Sequence, residues 1–318
     1  IEYTNSIGKP IDINKHGIDL FVRACENKHV KVVKCIVEYA KSIGQPINVF
    51  SHDYHAYVRA CRSGDVALVK YLFSYASSIG SPINVIERNY INESCRSGNV
   101  ELIKFIIEYA KQNNFLNDPK IYNHHSFISA CRSGNIESVE FLIEYSKSNN
   151  HPVSDKVYGD GFASSCTCGD LDLVKFIIDN ANAHSDIVHI RKKINQGFIN
   201  ACLSGNIELV KYIVDYAYSI DSPVDVAHVS DRTLAVCVMR GFSEMLKYLS
   251  ELYCSYDLKY LYDESNKSMY MFKDKFETEK NVHDYHGHLF KLTSATGLPD
   301  YKFLDENIHK LARKKSAR

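Results

Sequence analysis

Three observations predict an all-α solenoid of helix-turn-helix units. First, a six-residue string recurs: Ala60-Cys61-Arg62-Ser63-Gly64-Asp65 returns as Ser94-Cys95-Arg96-Ser97-Gly98-Asn99 and as Ala130-Cys131-Arg132-Ser133-Gly134-Asn135. Second, weaker copies around Cys25, Cys166 and Cys202 place a cysteine column at 25, 61, 95, 131, 166 and 202, a step of 34 to 36 residues. A seventh copy aligns Gly241 with Gly205. Third, six of the seven prolines (10, 46, 82, 119, 152 and 223) fall at corresponding places between the copies. A period of this length marks an array whose units bury their apolar faces against one another, so 318 residues need not mean two globular domains. About seven repeats are expected, the chain starting mid-repeat, with the repeats over 1–252 and a partial capping unit within 253–318.

Each unit opens with a short helix. Phe198, Ala201 and Cys202 stand at i, i+3 and i+4, and the Phe198 column elsewhere holds Phe21, Tyr57, Ile91, Phe127, Phe162 and Leu234. A glycine at 64, 98, 134, 169, 205 or 241 supplies the left-handed turn that ends this helix. Asp65, Asn99, Asn135, Asp170 or Asn206 follows as N-cap of the second helix. That helix is amphipathic, as in Ile207–Ala217, where residues 209, 210, 213, 214 and 217 are apolar. Proline cannot continue a helix, which places the proline positions just beyond the second helices.

The two ends depart from the period. Ile1–Ile11 superimposes on Val37–Ile47 at a constant offset of 36, so the chain opens inside a second helix and a longer natural protein is expected upstream. From 253 to 285 the pattern fails, and an irregular or inserted helical segment is expected. His288–Leu304 reads as a degenerate eighth unit serving as C-terminal cap, followed by a basic tail of Lys310, Arg313, Lys314, Lys315 and Arg318. A solvated terminus accounts for that tail.

The Ala-x-x-x-Gly-(Asn/Asp)-hydrophobic-Glu-Leu-Val-Lys core, on paired helices at this period, resembles the ankyrin repeat over roughly Ile1 to Leu252. Two departures stand out: the Thr-Pro-Leu-His opening is absent, and the second helix is lengthened, as over Glu38–Asn48. The Cys-Arg-Ser-Gly-Asn-(Ile/Val)-Glu flavour, rich in Tyr, Ile, Asn and Lys, looks most like the large ankyrin-repeat families of giant amoebal DNA viruses. The resemblance implies a non-enzymatic scaffold that binds a protein partner through the concave face lined by first helices and loop tips. A viral protein engaging host factors in the host cytoplasm, or a substrate-recruiting adaptor of a ubiquitin ligase, would be special cases. No F-box-like motif stands out in 253–318.

Composition agrees with such a binding role and narrows the alternatives. The 38 Lys+Arg balance 38 Asp+Glu, so no overall nucleic-acid-binding charge is present. No apolar run reaches the ~20 residues that span a bilayer, so no membrane partner is expected. Ten cysteines invite disulfides, but six share one column of stacked helices roughly 8–10 Å apart, beyond the ~7 Å Cα separation a disulfide tolerates. They read as buried thiols of a monomeric protein in a reducing compartment. No GxGxxG after a strand, GxxxxGK[ST] or GxSxG is present, and Ser63, Ser97, Ser133 and Ser204 recur because the turn recurs. No cofactor is expected. An enzyme would have to place its site in 253–318.

Candidate binding residues come from one column. Arg62, Arg96 and Arg132 follow one another near the ends of three first helices, with Arg59 and Arg23 adjacent, a basic ladder suited to carboxylates. His52/His55 and His124/His125 lie where loops enter first helices. His283, His286 and His288 form a weak metal candidate, HxxHxH in a polar stretch. Lys34, Lys70, Lys104, Lys175, Lys211 and Lys247 precede acids such as Glu38, Glu108, Asp179, Asp215 and Glu251 by four residues, and read as solvent-facing i,i+4 pairs.

Overall fold

The computed structural model describes residues 18–47, 55–85, 89–115, 124–183, 187–225, 231–255, 260–263, 268–272 and 289–293. Contacts divide the chain into two compact units, Ile1–Val157 and Tyr158–Arg318. The architecture is an ankyrin-like helical solenoid. In the first unit, first and second helices alternate: α1 (Ile18–Glu26), α2 (Val30–Ser42), α3 (His55–Ser63), α4 (Val66–Ser78), α5 (Tyr90–Arg96), α6 (Val100–Gln112), α7 (His124–Ser133) and α8 (Ile136–Ser148). α9 (Asp155–Ser165) carries the chain into the second unit, which continues with α10 (Leu171–Ala183), α11 (Val188–Ser204), α12 (Ile207–Ser219), α13 (Asp231–Met239) and α14 (Ser243–Ser255).

Within the first unit α1, α3, α5 and α7 lie side by side, and α4, α6 and α8 form a second row. The core lies between the rows. Phe21, Tyr57 and Phe127, one residue per repeat of the same column, are at most 3% exposed, and Leu68, Val69, Leu72 and Phe73 of α4 are buried opposite them. Cys25, Cys61, Cys95 and Cys131 are fully buried, as are Cys166 and Cys202 in the second unit. All are free thiols.

The turn between the paired helices explains its own recurrence. Ser63 Oγ donates to the Ala60 carbonyl at 2.8 Å and accepts the Asp65 N–H, and Ser97, Ser133 and Ser204 repeat both bonds. Asp65 Oδ1 then caps the second helix by accepting the Leu68 N–H at 2.9 Å. Asparagine does one thing more. Asn99 Nδ2 donates to the Gly64 carbonyl of the preceding repeat at 3.0 Å, and Asn206 Nδ2 to the Gly169 carbonyl at 2.7 Å. At the two outer described repeats this chemistry changes: Lys28 takes the positive-φ position, His29 makes no side-chain cap bond, and Phe242 replaces the Asn/Asp.

Three expectations are corrected. The second helix is not lengthened through Asn48: α2 stops at Ser42. The Gly44 N–H bonds to the Lys41 carbonyl and the Gln45 N–H to the Ala40 carbonyl, so the added residues form a reverse turn. The first helix is not always short, since α11 runs for 17 residues. In the stretch from 253, expected to hold an irregular or inserted helical segment and a degenerate eighth repeat, the residues described after Ser255 are strands and not helix. α14 ends at Ser255, and strands β1 (Tyr260–Asp263), β2 (Ser268–Phe272) and β3 (Leu289–Thr293) form an antiparallel sheet in the order β1-β2-β3. Tyr260 pairs with Met271, Met271 with Phe290, and a register shift falls between Met269 and Tyr270. Tyr-Leu-Tyr and Ser-Met-Tyr-Met-Phe are short aromatic-rich runs without helical period, which suits a pleated surface. β2 and β3 lie against α13, and β1 against α14. The first 17 residues, with their offset to Val37–Ile47, the rest of His288–Leu304 and the basic tail fall outside the described residues.

Candidate protein-interaction surface

First helices carry the candidate surface because their buried face holds the Phe/Tyr and Cys columns, which turns the residues of the Arg62 column outward. In the first unit that column reads Glu26, Arg62, Arg96, Arg132; in the second it reads Thr167, Leu203, Met239. The structure breaks the arginine ladder into two kinds of residue. Arg59 Nη1 donates to Glu26 Oε1 of the preceding repeat at 3.0 Å. Arg62 Nε lies 3.7 Å from Glu93 Oε2 of the following repeat, beyond hydrogen-bond range, so that buried oxygen has a coulombic partner and no hydrogen bond. Both pairs join the same two columns with the signs exchanged. Arg59 and Arg62 are therefore inter-repeat ties.

Arg96 is half-buried and Arg132 exposed, and neither has an ion pair or hydrogen bond among the described residues. The position facing Arg96 from the next repeat, equivalent to Glu93, is Ser129. Beside them the first helices are tied by neutral groups: Ser126 Oγ donates to Asn92 Oδ1 at 2.8 Å, and Asn92 Nδ2 to Asn89 Oδ1 at 3.1 Å. His124 and His125 open α7 with ring centroids 5.6 Å apart, edge to face, and His125 is exposed. The structure thus brings Arg96, Arg132, His124 and His125 onto α5 and α7. His52 and the His55 side chain lie outside the described residues, as do His283, His286 and His288.

Two columns acquire roles that their sequence spacing conceals. Lys34, Lys104 and Lys175, expected to pair with acids four residues on, instead stand over the rings of Tyr71, Phe141 and Tyr212 in the next repeat, 5.2 to 5.5 Å from the centroids. Lys70 lies over Phe105 and also reaches Glu101 of the next repeat at 3.2 Å. Lys211 bonds Glu208 at 2.9 Å, three residues back. The tyrosines of the second helices reach backwards: Tyr75 Oη accepts the Ile47 N–H at 2.8 Å, and Tyr109 Oη the Ile83 N–H at 3.2 Å. This column, Tyr39, Tyr75, Tyr109, Tyr145 and Tyr216, was visible in the sequence as a repeat, but nothing local named its partner.

Burial makes the thiols inert. It pushes Cys25, Cys61 and Cys95 from 9.0 up to about 12, and Cys166 higher still. Cys168 is exposed, and its thiol donates to the Ser165 carbonyl at 2.9 Å. Among the described residues no three His, Cys, Asp or Glu side chains gather as a metal site, and no helix is long and apolar enough to cross a membrane.

Comparison with known proteins places a family on part of this framework. No curated protein sequence matches the chain. Residues 58–153, spanning most of α3 through α8, match the family model for ankyrin repeats in three copies.

Proposed function

We propose that the protein is a non-enzymatic scaffold that binds a protein partner on the exposed side of its first helices, with Arg96 and Arg132 among the contacts. One observation carries this reading. The turn serines bond their own turns, Asp65, Asn99, Asn135, Asp170 and Asn206 cap second helices, the column cysteines are buried, and Lys34, Lys70, Lys104 and Lys175 stand over rings of the next repeat, whereas the Arg62 column changes chemistry from repeat to repeat and leaves two adjacent guanidiniums unpaired among the described residues. A binding surface varies where the scaffold does not. His124 and His125 belong to the same surface, and His52, just before α3, and His55, its first residue, are assigned to it by their place in the repeat. Buried free thiols support a reducing compartment such as the cytoplasm, and stacked repeats need no second copy, which supports a monomer.

The adaptor reading would need a recruiting element beyond the repeats. The described part of 256–318 is strand packed on α13 and α14.

The test is affinity capture with the full chain, a variant carrying Arg96→Glu and Arg132→Glu, and a control carrying Lys104→Glu on the outer side of α6. Partners retained by the control and lost by the double arginine variant are expected. The reverse pattern would overturn the surface assignment. Catalytic turnover abolished by a single unrepeated residue would overturn the scaffold itself.

A further inference from the structure

We infer that Arg96 and Arg132 form a two-point reader for an extended acidic peptide whose carboxylates stand three residues apart. This rests on the first-helix surface proposed above and adds the chemistry and spacing of its partner. Four of the ladder's five arginines, Arg59, Arg62, Arg96 and Arg132, do not act alike. Arg59 is held by Glu26 and Arg62 faces Glu93, so neither offers an unmatched charge. Ser129 stands at the next-repeat position equivalent to Glu93, Arg132 is exposed, and neither Arg96 nor Arg132 has an ion pair among the described residues, so the unmatched positive charge of this column is concentrated on α5 and α7.

The spacing follows from packing. α5 and α7 lie side by side, and neighbouring helices sit about 8–10 Å apart. Arg96 and Arg132 are equivalent residues on them, so their guanidiniums start from points separated by about that distance. A partner must present two carboxylates on one side at matching separation. A β-strand repeats its face every two residues, giving about 7 Å or about 13 Å, and misses on both sides. A polyproline II segment repeats its face every three residues at 3.1 Å each, about 9 Å, and matches. Such a segment also leaves its own backbone polar groups free to meet Asn92, Ser129 and solvent, and it loses little entropy on docking because it is already extended. Each guanidinium can then grip its carboxylate through two parallel N–H bonds, which lysine could not do.

The experiment measures binding of labelled peptides to the full chain by fluorescence anisotropy at low salt. The probes are a proline-rich peptide with Glu at i and i+3, versions with Glu at i+2 and at i+4, and the i,i+3 version with Gln for both Glu. The i,i+3 peptide is expected to bind at least tenfold more tightly than the other three, and more weakly as salt rises. Arg96→Gln and Arg132→Gln should each weaken it about fivefold or more, and Arg62→Gln should change it less than twofold. Equal binding at all spacings, a loss at Arg62→Gln matching that at Arg96→Gln, or no binding of any peptide would overturn the inference. If no peptide binds while captured partners still depend on Arg96 and Arg132, the peptide reader fails and the scaffold surface stands; if captured partners are indifferent to both arginines, the scaffold surface fails on its own.

Discussion

At the residue scale, equivalent positions of a repeat are not equivalent environments, and hydroxyls show this most directly. Tyr57 occupies a column that holds phenylalanine at 21, 127, 162 and 198, and its Oη is buried without a hydrogen bond among the described residues. Tyr75 Oη, by contrast, accepts the buried Ile47 N–H. Tyr57→Phe removes an unmet polar group and should stabilise the protein by about 1 kcal/mol, whereas Tyr75→Phe strands an N–H and should cost about 1–3 kcal/mol. Urea unfolding of the two variants checks both signs; a loss at Tyr57→Phe would mean that its hydroxyl has a partner. The thiols make a second prediction. Cys61 titrates near 9.0 when unfolded and is pushed by burial to about 12 when folded, so the unfolded chain releases its proton first as pH rises. The stability due to the buried neutral thiol is complete below pH 9 and is lost as pH climbs from about 9 towards 12. With reductant present, the stability gap between the wild type and Cys61→Ala should narrow by about 2 kcal/mol between pH 7.5 and 10.5. A gap constant with pH would show that the thiol ionises equally in both states.

Elements explain why much of the fold was legible and the site only partly so. The Ser-Gly-Asn turn could be read directly because all its bonds run within a few residues, from Ser63 Oγ to Ala60 and from Asp65 Oδ1 to Leu68. The arginine ladder misled because the acids that decide it, Glu26 and Glu93, sit 33 and 31 residues from Arg59 and Arg62, a separation that only the stacked helices bring together. The same holds for Lys104 and Phe141, where a local i,i+4 acid was the obvious partner and a ring of the next repeat is the actual one. The strands leave no mark in the helical columns, because a short aromatic run such as Tyr260–Tyr262 carries no helical period. One departure at the turn is testable. Phe242 stands where other repeats have Asn or Asp, and a Cβ on Gly205 would come within 2.5 Å of its ring, at a φ of +86° that already disfavours a side chain. Gly241 has the same backbone conformation, φ +71°, and open space around it. Gly241→Ala should therefore cost about 1–2 kcal/mol from the backbone alone, and Gly205→Ala distinctly more. Adding Phe242→Asn to Gly205→Ala should recover the difference and restore a cap. Equal melting temperatures for the two glycine variants would show that the ring moves aside freely.

For the whole molecule, stability in a repeat array is a sum of neighbour interfaces, so an end repeat with one uncovered face is its weakest part. The described C-terminal end does not leave that face open. β2 and β3 pack on α13 and β1 on α14, which puts a sheet where another helical pair would stand. A sheet can serve because what an end helix requires is cover from solvent, which a packed sheet supplies as well as a helix does. Its own cohesion depends on β2, the central strand, which pairs with both neighbours. Tyr270→Pro removes a backbone N–H from the middle of that strand and cannot be absorbed at an edge. The variant should lose the sheet and, with it, the cover on α13 and α14. Hydrogen exchange read by mass spectrometry should then show faster exchange in Asp231–Ser255, while α3 to α7 keep the protection of the wild type because no interface of theirs has changed. Unchanged exchange in α13 would show that the last helical pair stands without the sheet. Faster exchange throughout the array would overturn the nearest-neighbour account itself, since a loss at one end would then have spread through interfaces it does not touch.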